Sequence, residues 1–214
     1  MNVAHLDLKK TAVLFFDILN GYYHQAGPAT KARMKPMVDN AVRIMKAGRE
    51  KGLPIFFAKG NHRADSATSA YLLTDTDMGL RPWLSGEVAR FKPHVIDGDP
   101  SSDVIPELDP RPGDYYIPKY RWSAFHQTYL DLALRARGID TVVISGGSTD
   151  VGIAATVFAG RDLDYNIIVV RDACATSHDQ RAHDMLMDLI FPRMARVRTT
   201  DQVLKMIDGA GSKF

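Results

Sequence analysis

The chain is poor in cysteine, has no long apolar run and carries no excess of charge of one sign. Each lack excludes something. One cysteine, Cys174, occurs among 214 residues, so no internal disulfide can form and a reducing compartment is expected. No uninterrupted apolar stretch approaches the roughly 20 residues of a membrane-spanning helix. The first ten residues lack the apolar core of a signal peptide. The expected location is the cytoplasm, with no membrane partner. Lys and Arg number 27 against 25 Asp and Glu, a formal net charge of +2. The basic residues are scattered, so nucleic acid is not an expected partner. Neither an internal repeat nor a linker is visible. Hydrophobic residues at 45% and charged residues at 24% are the balance of a globular protein. The expectation is one domain spanning residues 1–214.

What is present is an alternation of short apolar runs and helical patterns. Thr11 to Phe16 is apolar without a break after its first residue, the signature of a strand buried on both faces of a parallel sheet. Asn20-Gly21 breaks the pattern, and Tyr22, Tyr23 and His24 follow in a loop. Met34 to Lys51 reads as a helix, with Pro36 in its first turn and Gly52 and Pro54 as terminators. Further strands are expected over Pro54–Ala58, Tyr115–Pro118, Thr141–Ile144 and Asn166–Val170, with a short sixth closing at Val197. Helices are expected over Tyr129–Arg137, Val151–Arg161, Asp179–Phe191 and Asp201–Ile207, the last capped by Thr200. This order predicts an α/β fold, three layers with a six-stranded parallel sheet between helices. Lys59 to Gly113 has poor periodicity and many prolines. Long irregular segments often cover a site, so substrate contacts are expected there from Arg81, Trp83 and Phe91.

Three features could carry chemistry. Asp17 stands where the first strand emerges, and partial burial would suit it to proton transfer. Lys119 ends the third strand beside Arg121, where a lysine can hold an anionic group or stabilise developing charge. The turn Ser145-Gly-Gly-Ser-Thr-Asp150 opens a helix and offers free backbone N–H groups to an oxygen or an anion. In a parallel sheet all three belong at one mouth, outside the carboxyl ends of the strands.

Taken in order, these pieces resemble the isochorismatase-like hydrolase family, which includes nicotinamidases and other cysteine amidohydrolases. The match runs through the strand ending in Asp17, then Lys119-Tyr-Arg-Trp-Ser-Ala-Phe125. It continues with Gly-Gly-Ser-Thr-Asp-Val-Gly152 at a helix start, and Val-Val-Arg-Asp172-Ala173. The resemblance implies a catalytic aspartate at Asp17, a lysine at Lys119 and a cis peptide entering Ser148, whose turn supplies oxyanion N–H groups. It also implies a homo-oligomer, a dimer or tetramer, and a small-molecule substrate.

The family's nucleophilic cysteine falls at Gly152, which has no side chain. The family's true isochorismatases also lack this cysteine. The resemblance therefore favours acid-assisted enol-ether cleavage, with Asp17 as the acid and Gly152 and Ser148 giving N–H groups to an oxygen. Substrate contacts are expected from Ser148, Thr149, Arg121, Trp83 and Tyr23, and the substrate is expected to be anionic. Three alternatives stand beside it: a C–N hydrolase that activates water, a catalytically silent binding member, and an amidase trapped by a Cys-to-Gly change. Cys174 reads as a small buried filler. Ser177-His178-Asp179 spells a triad, but adjacent residues do not converge on one centre, so a helix cap is expected. His62 lacks the neighbours of the family's zinc site, and no metal or other cofactor is expected.

Overall fold

The computed structural model describes residues 6–69 and 92–209. Trp83, Arg81 and Phe91 lie outside them. Six strands form one all-parallel sheet: β1 (Thr11–Phe16), β2 (Ile55–Gly60), β3 (Tyr115–Lys119), β4 (Thr141–Gly147), β5 (Asn166–Ala175) and β6 (Arg196–Arg198). Their order is β3-β2-β1-β4-β5-β6. The chain winds outward from β1 to β3, returns beside β1 at β4 and winds outward the other way. The β1–β4 junction is the switch point, where crevices open in such sheets.

The alternation of β1 shows how the core divides. Val13 and Phe15 pack into one buried cluster, Ala12, Leu14 and Phe16 into the other. Helices α1 (Pro28–Glu50) and α5 (Thr200–Gly209) cover the first face. Helices α2 (Leu130–Ala136) and α3 (Ala154–Asp162), with Leu186 and Met187 just after α4 (Gln180–Met185), cover the second. Successive β1 side chains point to opposite faces, so a strand covered on both sides must be apolar at every position. That is why it reads as a continuous run. No described helix is long and apolar enough to cross a membrane.

Of the elements that run further than the sequence pattern suggests, three bear on the site. Helix α1 starts at Pro28, not Met34, with Pro at its first position and Gly27 before it. Its buried residues begin only at Met37, so the first two turns leave no apolar periodicity to read. Strand β4 continues to Gly147 and β5 to Ala175, past the polar Arg171-Asp172 pair. A register shift between Ile144 and Gly146 lets the two rejoin, Gly146 opposite Cys174 and Gly147 opposite Ala175. Asp172 accepts hydrogen bonds from the Thr200 N–H at 2.7 Å and its hydroxyl at 2.8 Å, so this carboxylate pins the start of α5.

Candidate active site

The strand ends converge on a cavity of about 810 Å³. Its described lining includes Phe16, Asp17, Lys119, Arg121, Gly147, Ser148, Gly152, Thr176 and His178, with Arg33 and Met34 from the early turns of α1.

Asp17 enters the cavity through a backbone turn. Its φ of 51° lies in the left-handed region, which aspartate tolerates better than most residues and which clusters at functional sites. The Asp17 N–H still donates to Ala58 O at 2.9 Å, so the turn is anchored to β2. Both carboxylate oxygens are engaged. Lys119 Nζ lies 2.6 Å from Oδ2, and the Gly60 N–H donates to Oδ1 at 2.8 Å. The two side chains are only 12% and 9% exposed. Lys119 also stands over the Phe16 ring, 4.5 Å from its centroid. Asp17 and Lys119 thus form an enclosed ion pair at the cavity wall, with a donor on each carboxylate oxygen.

The turn after β4 forms the opposite wall. The Gly147–Ser148 peptide is cis. Gly146 has a φ of 125°, and a side chain there would meet Phe16 O at 2.0 Å, so only glycine fits. Thr149–Ile153 forms a wide helical turn leading into α3. Gly152 is more telling. A Cβ placed on it would stand 2.3 Å from Phe16 Cε1 and 2.4 Å from Cζ. The ring, itself 1% exposed, fills the space that any side chain at residue 152 would enter.

The remaining expected residues divide. Arg121 lines the cavity, its Nη1 donating to Thr68 O at 3.0 Å and to Tyr120 O at 2.6 Å. Ser148 lines it too. Thr149 does not: it is fully buried, its hydroxyl 2.9 Å from His183 Nδ1 behind the turn. Tyr23 also turns away, packing against the core with its ring edge-on to His24, centroids 5.0 Å apart. Its neighbour Tyr22 lines the cavity instead, stacked on His94. Burial, reinforced by the Asp17 charge, pushes the Tyr22 hydroxyl well above the ordinary tyrosine range. The loop's backbone, which the sequence pattern does not encode, decides which tyrosine faces in. His62 lines the cavity, its pKa lowered by burial and then by the Lys119 charge. Among the described residues no cluster of three metal-ligating side chains occurs.

The Ser177-His178-Asp179 run serves two ends. Asp179 caps α4, accepting from the Arg181 N–H at 2.9 Å. His178 faces the other way, its Nδ1 3.0 Å from Asp150 Oδ2. The sequence reading missed this pair because its members are 28 residues apart and meet only when β4 and β5 end side by side. Cys174 is buried in β5, and burial pushes its thiol up to about 12. A thiol so placed is not a nucleophile at neutral pH.

An isochorismatase domain matches residues 11–202. The chain belongs to the isochorismatase family. Its relatives include the isochorismatase family protein YwoC of Bacillus subtilis (strain 168), 31% identical over 208 residues, covering 97% of this chain and 99% of that one. The ureidoacrylate amidohydrolase RutB of Pantoea ananatis (strain LMG 20103) is 32% identical over 181 residues, 77% of this chain and 69% of that one. Among solved structures, N-carbamoylsarcosine amidase from Thermoplasma acidophilum superposes with a TM-score of 0.69 at 30% identity, covering 90% and 97% of the two chains. The α/β fold with its six-stranded parallel sheet is the fold expected from the sequence.

Proposed function

We propose that this family member hydrolyses a C–N bond in a small anionic amide or ureide, with water as the nucleophile and Asp17 as its base. The observation that carries the reading is the pairing of Phe16 with Gly152. Residue 152 has no side chain and the Phe16 ring fills the space beside it, which supports water as the attacking atom. Asp17, with Lys119 on one oxygen and the Gly60 N–H on the other, is set to accept a proton. The N–H groups of Ser148 and Gly152 receive the carbonyl oxygen as it gains charge.

The substrate's charge is read from the walls. Arg33, Lys92, Lys119 and Arg121 line the cavity, and Asp17 is the carboxylate among the described lining residues. Lys119 balances Asp17. Arg33, Lys92 and Arg121 leave the described lining with an excess of positive charge, which favours a carboxylate-bearing substrate. Relatives named as an amidohydrolase and an amidase support the C–N bond.

Enol-ether cleavage ranks second. The glycine at 152 and the run from Lys119 to Phe125 favour it, but it needs Asp17 as an acid, and donors occupy both Asp17 oxygens. One experiment separates the two. Ammonia release is followed with N-carbamoyl amino acids and simple amides, and pyruvate release with isochorismate, for the native chain and Asp17→Asn. Ammonia from the native chain and none from Asp17→Asn supports the proposal. Pyruvate without ammonia overturns it in favour of the second reading.

A further inference from the structure

A second group of polar side chains stands at the cavity, apart from Asp17 and Lys119. Asp150 is its centre. Oδ1 accepts from the Thr176 hydroxyl at 2.8 Å and from the Ser148 hydroxyl, and Oδ2 faces His178 Nδ1 at 3.0 Å. Ser148 Oγ in turn accepts from the Ser177 N–H at 3.1 Å. The Asp150 side chain is 16% exposed and that of His178 64%. The carboxylate is the enclosed anchor and the imidazole the open end. Burial works to raise the Asp150 pKa, but the hydrogen bonds from Ser148 and Thr176 outweigh it and hold the carboxyl below its usual range. An anion on one side of the ring directs the Nδ1 proton toward itself, which makes Nε2 the nitrogen available to a ligand.

Hydrolysis of a C–N bond moves protons in two places. One leaves the attacking water. Another must reach the departing nitrogen, which is too basic to leave as an anion. The sheet order supplies a group on each side. Asp17 follows β1 and His178 follows β5, while β4 and its Ser148–Gly152 turn run between them. Asp17, Ser148, Gly152 and His178 line the one cavity, so by strand order a carbonyl bound at that turn would lie between Asp17 and His178.

We propose that His178, oriented by Asp150, is the general acid that protonates the leaving nitrogen. This role rests on the C–N reading given above. Water oxygen bonds to the carbonyl carbon while Asp17 takes its proton, and the π pair moves to the oxygen at the turn. That pair returns as the C–N bond breaks, and the nitrogen takes the Nε2 proton of the His178 imidazolium, whose Nδ1 proton stays directed at Asp150. The neutral imidazole and protonated Asp17 then reset by exchange with solvent, one gaining the proton the other releases.

The test uses the full chain and two acyl-matched substrates, one releasing a basic alkylamine and one releasing p-nitroaniline. His178→Gln keeps a polar side chain but cannot supply the proton. It is expected to lose about 100-fold or more in turnover of the alkylamine substrate, the usual scale of general acid catalysis, and far less with p-nitroaniline. Asp150→Asn is expected to show the same skew more weakly, and Asp17→Asn to lose both substrates alike. Equal losses in His178→Gln for the two substrates, or none, overturn the role of His178 while leaving the C–N reading intact. A native chain that cleaves neither substrate nor any of the amides and carbamoyl amino acids above overturns both.

Discussion

The Phe16 ring lies where the side chain of any residue larger than glycine at position 152 would begin, with 2.3 Å between the ring edge and the Cβ position. The two residues are therefore one device. A cysteine at 152 and a phenylalanine at 16 cannot both keep this geometry, so the glycine is matched to its surroundings.

Gly152→Cys is accordingly expected to destabilise the fold by about 1–3 kcal/mol, the range for forcing extra volume into a packed interior. Trimming the ring in Phe16→Leu/Gly152→Cys should recover part of that loss. Thermal denaturation of the native chain, the two single variants Phe16→Leu and Gly152→Cys, and the double variant measures the coupling. If Gly152→Cys is as stable as the native chain and the second change has no compensating effect, the ring does not block the position.

Thiol labelling gives an independent check. Cys174 is buried and its thiol is pushed up to about 12, so the native chain should stay unlabelled by iodoacetamide at pH 8. Labelling at a rate near that of free cysteine would show that this thiol is reachable and more acidic than its burial allows.

Lys119 and Asp17 form an enclosed pair, and removing one partner strands the other. Lys119→Met should destabilise by about 3 kcal/mol, because an unpaired carboxylate stays in a poorly solvated place. Asp17→Asn/Lys119→Met should be more stable than Lys119→Met alone. Urea unfolding of native, single and double variants tests this, and strictly additive losses would mean that the two charges do not support one another.

Much of this was legible in the sequence, for a physical reason. A strand buried on both faces must be apolar throughout, so β1 announced itself, and the polar residue ending it, Asp17, had to emerge at the carboxyl end of the sheet. Lys119 was legible in the same way. Side chains whose placement depends on loop backbone were not. Tyr23 and Tyr22 are adjacent, and the turn alone decides that Tyr22 enters the cavity. Thr149 follows Ser148, which lines the cavity, yet the wide helical turn rotates it toward His183. Asp150 and His178 come together only through the sheet order, which local sequence does not carry.

The cavity's positive lining should act on binding more than on chemistry. Arg121→Ala is expected to raise KM about 10-fold or more with little change in kcat, the mark of an interaction equal in ground and transition states. Steady-state kinetics on a carboxylate-bearing substrate and its neutral amide analogue test it. An equal effect on both would show that Arg121 does not read the substrate's charge.

His183 links stability to pH. It is buried beside Thr149, and burial, then the Arg171 charge, holds its pKa below the ordinary value. The folded pKa is thus lower than the unfolded value of about 6.5, so the unfolded chain binds more protons just below that pH. Its neutral form favours folding fully above about pH 6.5, and that contribution is lost as pH falls toward the folded pKa. The melting temperature should drop between pH 7 and pH 5.5, and less steeply in His183→Gln. An unchanged slope in the variant would place the titration elsewhere.

The most direct test of the account is the intact mass of the native chain quenched in the middle of turnover of an N-carbamoyl amino acid. With water as the nucleophile, ammonia accumulates while the protein mass stays that of the free chain. A covalent acyl adduct on the protein, or no ammonia from any C–N substrate, would contradict it.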